Sequence, residues 1–372
     1  MIILAAAIIL SLSNSGIIGK ANKAKTDSDT ANLKEYVNTL RAEWELMTAD
    51  EQTAEGTFEA YANKKLEKSG YKGAVGADGE VYSNLNENAM AAIKAGIKIG
   101  DTITGYTVTS TTYETSGEEN TAPSDSETDP QPQTVTTNKD ITWKYLGVNA
   151  NGELEIMAVL SEKDAITDTA DKQLKVTLSG KGGYLKGPEM LNTICEKLYS
   201  VEGKGTARSM NIDDVNSILG YTGPKGSYYD TNSNKITTAE PLTIAALESE
   251  LGTTLGYRTT PDGKDLGTYY SDDYSINKTN DVKEMKNPGN RDLVYNAKNT
   301  YWLASPCVYA RVDYSIASFR VHRVLSASVS AGDMFISNDG SFHETHAVRP
   351  VVSLKSNVQL EQNAEKTAWV IK

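Results

Sequence analysis

The sequence predicts an α+β protein in which helices come first and strands dominate the C-terminal part. In the first 70 residues, apolar side chains recur at helical spacing. From residue 97 onward, runs such as IKIGDTITGYTVTSTTY are rich in β-branched and aromatic residues. Separate groups of helices and strands are typical of this class. We expect N-terminal helices at 1–69, a connector at 70–96, one domain at 97–360 and a tail at 361–372.

Composition excludes several classes of protein. The chain has 372 residues, enough for two to three units at ~150 residues each. Its 37 basic and 49 acidic side chains give a net charge of -12, which repels a phosphate backbone, so we expect no nucleic-acid partner. Two cysteines exclude a disulfide-dense fold and any four-cysteine metal site, and we expect no cofactor.

The N-terminal segment begins with an apolar run, MIILAAAIILSL, which is shorter than the ~20 residues that span a bilayer. A signal peptide is an alternative, although no basic residues precede the run. The following segment predicts a long amphipathic helix because its apolar residues are spaced by four, three, four and three. These residues are Leu33, Val37, Leu40, Trp44 and Met47.

This apolar helix, its amphipathic continuation and the stretch SGIIGKANKAK resemble the N-terminal segment of type IV pilins and pseudopilins, particularly in Gram-positive surface proteins. The resemblance covers about the first 45 residues. It implies a long pilin-like helix, membrane contact through residues 1–18 and pilus subunits as partners. The leader, peptidase site and early glutamate of that family are missing, so we expect the sequence to start inside the anchor helix. A surface protein tethered by one helix is the simpler interpretation.

Local signals define the next elements. Thr48 and Glu51 form a T-x-x-E capping box. A helix is expected from Thr57 to Lys68, before Gly70, and a short one from Glu87 to Ala95.

The domain at 97–360 is expected to contain a hairpin that turns at Asn149 to Gly152. Residues 113–139 carry six carboxylates and three prolines, which predicts a flexible acidic insertion. Pro188 should start a helix whose apolar face includes Leu191, Ile194 and Cys195. Another helix should end at Gly220, and a third is expected at 240–251.

Residues 299–354 differ in composition from the rest of the chain. None of the 29 lysines lies there, whereas four of the eight arginines, three of the four phenylalanines and all three histidines do. Small or apolar residues, such as Ala317, Val321, Val329 and Ala331, alternate with varied ones. A period of two predicts that the varied residues share one face of strands.

The varied residues share no chemistry, but they share a codon property. Each can be reached from a pyrimidine-ending asparagine codon by changing its first two bases, whereas Lys, Glu, Gln, Met and Trp cannot. This is the pattern that adenine-directed mutagenesis leaves. The candidate ligand-binding residues are Tyr309, Arg311, Asp313, Tyr314, Ile316, Ser318, Arg320, His322, Leu325, Ser328, Ser330, Gly332, Asp333, Ile336, Asp339, Ser341, His343 and His346.

The segment resembles the variable region of proteins diversified by diversity-generating retroelements, with YWLASPCV before it and AVRPVVSL after it. The stretches WKYLGVNANGELEIMA, LNTICEKLYS and GTARSMNIDDVNSILGY resemble Gram-positive surface domains that carry such regions. The resemblance implies a C-type-lectin-like fold, similar to the formylglycine-generating enzyme, with two-stranded and four-stranded sheets flanked by two helices. It places the variable region at 307–346 and implies that its side chains form a ligand-binding patch.

Physical chemistry also favours a binding face, since Tyr and Arg are frequent interface anchors while Ser, Gly and Asp adapt to the contact. A solvated sheet face would have a similar composition. The sequence His343-Glu344-Thr345-His346 is one residue short of the zinc-protease motif, so we expect no metal site.

Cys195 and Cys307 are either disulfide-bonded or two buried thiols. Trp143, Trp302 and Arg349 are expected in the core, with Arg349 closing a buried pair with a carboxylate.

These observations together predict a non-enzymatic receptor-binding protein on the cell surface, anchored to a membrane or pilus. Its expected partners are proteins or glycans on another cell, a host or a phage. An enzyme of the formylglycine-generating type and a structural minor pilin are the alternatives. An enzyme would require an accessible thiol of low pKa.

Overall fold

The computed structural model describes most of the chain outside its N-terminal apolar run, the acidic insertion and the polar stretch after residue 221. The described ranges are 17–108, 141–159, 175–221, 285–295, 300–311, 316–326, 328–336 and 340–372, together with short strands between them. Most of the apolar segment 1–18, most of the insertion and candidates Asp313, Tyr314 and Asp339 lie outside them. The side chains of Tyr309, Arg311, Ile316, Ser318, Ile336 and Ser341 lie outside the description as well.

The mixed α+β class is confirmed, with helices grouped before most of the strands. The helices are α1 (Ile17–Leu46), α2 (Ala49–Glu55), α3 (Phe58–Ser69), α4 (Glu87–Lys94), α5 (Gly180–Tyr199), α6 (Ile212–Leu219) and α7 (Arg291–Val294), and a 3-10 turn covers Pro288–Asn290. Among the described residues, none of these helices combines the length and apolarity needed to cross a bilayer.

Two large sheets form the C-terminal domain. In spatial order, the seven-stranded sheet contains β11 (Gly205–Ser209), β22 (Pro350–Leu354), β7 (Leu154–Ala158), β6 (Trp143–Val148), β3 (Thr102–Thr104), β24 (Trp369–Ile371) and β23 (Leu360–Gln362). The main path of the nine-stranded sheet contains β10 (Lys175–Ser179), β21 (His343–Ala347), β17 (Tyr301–Arg311), β18 (Ile316–Val324), β19 (Ser328–Ile336) and β16 (Ile276–Asn277). Off this path, β12 (Gly226–Tyr229) pairs with β17 and β13 (Lys235–Thr238), and β20 (Gly340–Ser341) pairs with β19.

Three smaller sheets complete the strand inventory of the described residues. They are the hairpin β1 (Gly73–Val75) with β2 (Val81–Ser83), the pair β14 (Leu242–Thr243) with β15 (Thr268–Tyr269), and the sheet of β4 (Thr112–Tyr113), β5 (Val135–Thr136), β8 (Thr167–Asp168) and β9 (Lys172–Gln173). The expectation of a helix at 240–251 is wrong at Leu242–Thr243, which form strand β14. The other residues of this range lie outside the described part of the chain.

The N-terminal helices pack around an apolar core of their own. Leu33, Val37 and Leu40 of α1 are about 1% exposed and contact α3 and β1, while Trp44 and Met47 pack at the edge of this core. The predicted apolar stripe is therefore confirmed. The expected caps are also present: Thr48 and Glu51 form a reciprocal capping box, Thr57 caps α3, and Gly70 ends α3 in the left-handed region.

The β1–β2 hairpin connects this core to the C-terminal domain. Val75 belongs to the helical core, whereas neighbouring Ala74 belongs to the main core of the domain. Successive residues of a strand point to opposite faces, so one short strand contributes to both cores.

Helix α5 begins earlier than the sequence predicts. It starts at Gly180 and includes Pro188, which lacks the N–H of a regular helical hydrogen bond. Close packing on β10 accounts for this start: a Cβ on Gly183 would lie 3.1 Å from the Leu178 carbonyl carbon, and one on Gly187 would lie 3.0 Å from Leu178 Cδ1. Tertiary contact thus outweighs the poor helix propensity of this segment.

The residues expected as a tail instead complete the seven-stranded sheet. Strand β24 pairs in parallel with β3, with Trp369 opposite Ile103, and it pairs on its other side with β23. Trp369 Nε1 also donates to Asp101 Oδ2 at 3.0 Å. The first and last strands of the domain are therefore adjacent, and the domain extends past residue 360.

Buried Arg349 links the two sheets. Its Nε donates to Ala158 O at the end of β7, and its Nη1 donates to Tyr301 Oη in β17, both at 2.9 Å. Its guanidinium carbon lies 5.1 Å from the centroid of the Tyr301 ring. The expected partnership with a carboxylate is wrong, because a carbonyl, a phenol and an aromatic face receive the guanidinium instead.

Arg349→Ala should lower the free energy of unfolding by about 3–5 kcal/mol, because it leaves Ala158 O and Tyr301 Oη without this donor in a buried site. Tyr301→Phe removes this acceptor and also the hydrogen bond from Tyr301 Oη to Val294 O at 2.9 Å, and it should cost about 1–3 kcal/mol. Urea unfolding measures both changes. Exposed Lys355→Ala is the control, expected within about 0.5 kcal/mol of wild type. An Arg349→Ala protein as stable as this control would show that the sheets do not depend on the link.

A second buried charge cluster lies on the seven-stranded sheet. Arg208 donates to both Asp214 oxygens at 2.7 Å and to both Glu155 oxygens at 3.0 and 3.1 Å. Ser353 Oγ also donates to Glu155 Oε1 at 3.0 Å. Burial raises the pKa of Glu155, Arg208 lowers it, and the neighbouring Asp214 raises it again.

Because the folded-state pKa of Glu155 is raised, its favourable contribution to stability is present at low pH and is lost as pH rises through that value. Glu155→Gln keeps an oxygen for Arg208 and Ser353 but cannot ionise. Its free energy of unfolding should therefore fall less than that of wild type between about pH 4 and pH 7. Chemical denaturation across this range tests the expectation, with exposed Glu361→Gln as the control. Parallel curves for wild type and Glu155→Gln would contradict it.

Candidate functional site

The variable region forms the centre of the nine-stranded sheet, between two helices. On one side, Trp302 and Val321 join the core that includes α5. On the other side, Tyr301, Val324 and Val329 join the core that includes α6. We call these sides the α5 face and the α6 face. The expected apolar set is thus divided, since Val321 and Val329 lie on opposite faces.

The candidates do not share a single face, which corrects the alternation argument. In the pairing of β18 with β19, even-numbered residues of one strand lie opposite odd-numbered residues of the other. Examples are Arg320 opposite Asp333 and Arg323 opposite Ser330. Period two holds within a strand but is reset by the turn between strands. Ser328, Ser330 and Gly332 therefore occupy the α5 face, as Arg323 does.

A β-bulge at Met334 changes the pattern again. The pairing passes from Phe319 opposite Phe335 to Arg320 opposite Asp333, which leaves Met334 as the extra residue. Beyond this bulge, Ile336 is opposite Ser318.

The register brings one group of candidates together in rows across β17, β18 and β19. Tyr309 is opposite Ser318, which is opposite Ile336, and Arg311 is opposite Ile316. A third row contains Cys307, Arg320 and Asp333. Seven candidate positions, together with Cys307, thus lie in three alternate rows, which share one face of the sheet.

Arg320 and Asp333 form an ion pair within this group. Arg320 Nε lies 2.5 Å from Asp333 Oδ1, and the side chains are 18% and 33% exposed. Partial exposure keeps both groups within reach of a ligand, while the pair fixes their relative position.

His322 is not available to a ligand. It is fully buried, and its Nδ1 lies 3.1 Å from Ser305 O, while Ser305 Oγ accepts from the amide of Ile212 at the start of α6. This candidate lies between the sheet and α6. Its inclusion in a contact surface is therefore wrong for this arrangement.

A second group of candidates surrounds Arg323 on the α5 face. Arg323 forms an ion pair with Glu344, and its Nε lies 3.5 Å from Ser330 Oγ. His346 Nε2 lies 3.1 Å from Glu344 Oε2, and its Nδ1 lies 2.8 Å from Thr300 Oγ1.

The ring of His346 also contacts buried Trp302 edge to face, with centroids 4.6 Å apart. Sequence reasoning missed Arg323 and Glu344. Glu344 belongs to the residue types that the codon rule excludes, so this rule could not have selected it.

The remaining candidates lie at the periphery. Leu325 is half-buried in the β18–β19 turn, where its amide donates to Ser328 O at 2.7 Å. His343 is exposed on β21, next to exposed Phe342. Ser341 pairs with Phe335 through β20. These positions border the two groups but do not join them.

Both cysteines are free thiols buried in the protein. Burial raises the pKa of Cys195, and hydrogen bonding to Ser209 lowers it by a smaller amount. Cys307 is 2% exposed. Of the two alternatives left open by the sequence, the structure contains the pair of buried thiols. Among the described residues, no cluster of three acidic, histidine or cysteine side chains is arranged to hold a metal ion.

Comparison with protein-family models, with curated proteins and with solved structures finds no match to this chain. A function is therefore inferred from the register, burial, charges and contacts of its own residues.

Gly332→Ala should disrupt the second group, because a Cβ at this position would lie 2.5 Å from Glu344 Oε2 and 3.0 Å from Arg323 Nη1. Displacing the Glu344 carboxylate should cost about 1–2 kcal/mol of stability. The cost should fall when Glu344 is already alanine, since neighbouring substitutions are not additive. Thermal unfolding of the two single variants and the double variant measures this coupling. An equal cost in both backgrounds would refute the contact.

Proposed function

We propose that this protein is a surface-displayed receptor-binding or ligand-binding protein whose variable region is diversified by adenine-directed retroelement mutagenesis. The binding surface is centred on the rows of β17, β18 and β19 that contain Tyr309, Arg311, Arg320 and Asp333. The observation that carries the proposal is the register, which brings residues selected by a codon rule into alternate rows of one sheet. Alternation within each strand does not determine how the strands pair, so the grouping of candidates from β17, β18 and β19 supports a common role.

The chemistry of these rows supports protein or glycan targets. Tyrosine and arginine offer large contact areas, hydrogen bonds and stacking, and serine, glycine and aspartate adapt to different partners. The scaffold beneath them is rigid, because Trp302, Val321 and Val324 are fully buried. A fixed core with variable rows above it allows many side-chain combinations without loss of the fold.

The proposal includes a C-type-lectin-like arrangement for the domain and a pilin-like role for the N-terminal helix. Helices α5 and α6 on opposite sides of the variable strands support the first part, since the resemblance implies two flanking helices. The 30-residue helix α1 supports the second. Membrane or pilus anchoring would then display the variable strands outside the cell.

An oxidising enzyme of the formylglycine-generating type is less well supported. Such chemistry needs an accessible thiolate, whereas both thiols here are buried and the pKa of Cys195 is raised.

The test compares wild type with a variant carrying Tyr309→Ser, Arg311→Ser and Arg320→Ser on glycan arrays and on a panel of bacterial, host and phage surfaces. Binding of wild type should fall at least about tenfold in the variant, which corresponds to 1.4 kcal/mol, because three interface anchors are removed. The matched control carries Lys64→Ser, Lys94→Ser and Glu361→Ser at exposed positions outside the nine-stranded sheet and should bind like wild type. Thermal unfolding checks that all three proteins are folded.

Equal binding by wild type and the row variant would contradict the proposal, and a concurrent loss of filaments would favour a structural minor pilin. The genome offers an independent check. A reverse-transcriptase gene should lie nearby, with a near-copy of the segment encoding residues 307–346 that has adenines where the two copies differ. Absence of both would contradict retroelement diversification but not ligand binding.

A further inference from the structure

A polar cleft lies far in sequence from the variable region, where the β1–β2 hairpin meets α6. It has a volume of about 560 Å³, within the range of small-molecule sites. Asp78, Glu80 and Tyr82 of the hairpin form one wall, and Tyr221 and Lys286 contribute to the opposite wall. The cleft thus joins the connector to the C-terminal domain.

The charges of the cleft favour a cation. Asp78 and Glu80 contribute two carboxylates, and Lys286 contributes one ammonium group. Lys286 Nζ lies 3.8 Å from Glu80 Oε1, and both side chains are more than 60% exposed, so this ion pair is weak. One negative charge remains in excess.

Asp78 is the carboxylate best placed to receive a ligand. Tyr82 Oη donates to Asp78 Oδ2 at 2.6 Å, and the Glu80 amide donates to Asp78 Oδ1 at 3.1 Å. These bonds fix the carboxylate at the turn. Among the described residues, no lysine or arginine forms an ion pair with Asp78, and a carboxylate has about four lone-pair positions, so it can accept further donors.

Tyr145 in β6, which does not line the cleft, carries a buried hydroxyl. Tyr145 is 1% exposed, and its Oη has no hydrogen-bond partner among the described residues. Burial raises the pKa of Tyr145, and the charge of Asp78 raises it further. Buried polar groups are rarely left without a partner.

The other residues that line the cleft indicate the chemistry of the rest of the ligand. Val81, Ile99 and the rings of Tyr82 and Tyr221 provide apolar and aromatic surface next to Asp78. Aromatic faces attract cations, and apolar side chains pack against hydrocarbon. We propose that this cleft binds an organic cation, an ammonium group on a short apolar stem, with Asp78 as its counter-ion.

Two sources have this chemistry: a free amine and a lysine side chain of a partner protein. Phenethylammonium represents the first, and N-acetyl-lysine methylamide represents the second. Calorimetric titration of the full chain with each probe should give saturable binding, and the probe that binds more tightly identifies the source. The neutral isostere 2-phenylethanol should bind at least about tenfold more weakly than phenethylammonium.

Asp78→Asn tests the counter-ion directly. Asparagine Oδ1 can still accept from the Glu80 amide, and its Nδ2 can donate to Tyr82 Oη, so the turn is retained while the charge is lost. Binding of the cation should weaken about tenfold or more, whereas Lys286→Met should strengthen it because a competing ammonium group is removed. Asp213→Asn, on the exposed side of α6 and outside the cleft, is the matched control and should not change the affinity.

Three results would overturn the proposal: no saturable binding of either cation up to about 10 mM, equal binding of the alcohol, or unchanged affinity in Asp78→Asn. None of these results bears on ligand binding by the variable rows, because the cleft and the rows share no residue.

Discussion

The buried guanidinium of Arg349 is the constraint on which the arrangement of the domain depends. Only Val348 and Arg349 separate β21 in one large sheet from β22 in the other. At this crossing the chain leaves one sheet and enters the other, so the backbone hydrogen bonds of a single sheet cannot connect them. The side chain of Arg349 makes the connection instead. Arg349 does so with rigid, planar donors to β7 and β17. Its position fixes the start of β17 and thereby the position of the variable strands that follow.

Strands β17, β18 and β19 combine a buried base with a partly exposed ion pair farther along the strands. At the base of β17 and β18, both faces are buried under α5 and α6, and side-chain identity is restricted by packing. Farther along the same strands, partly exposed ion pairs such as Arg320–Asp333 replace apolar contacts. His322 lies at the boundary between the buried base and this ion pair. It is a candidate by its position in the sequence, but its side chain is fully buried in the structure.

Elements with local signals were predictable from the sequence. The stripe of Leu33, Val37 and Leu40, the capping box at Thr48 and the left-handed stop at Gly70 all act within a few residues, and each is present. The α5 start and the partners of Arg349 were not predictable, because they depend on β10, β7 and β17, which lie far away in sequence. The face assignment failed for a related reason. A turn and one extra residue, Met334, change which residues face each other, and neither has a distinctive composition.

The parallel pairing of β3 with β24 has a consequence for how the domain is made. Thr104 Oγ1 donates to Trp369 O across a separation of 265 residues in the chain. During synthesis, the outer edge of β3 stays without its partner until β24 has been made. Contacts of such long range slow folding and leave strand edges open to wrong partners. The seven-stranded sheet is therefore completed late in synthesis. Until β24 pairs with β3, a chaperone that covers the open strand edge would protect the chain from wrong partners.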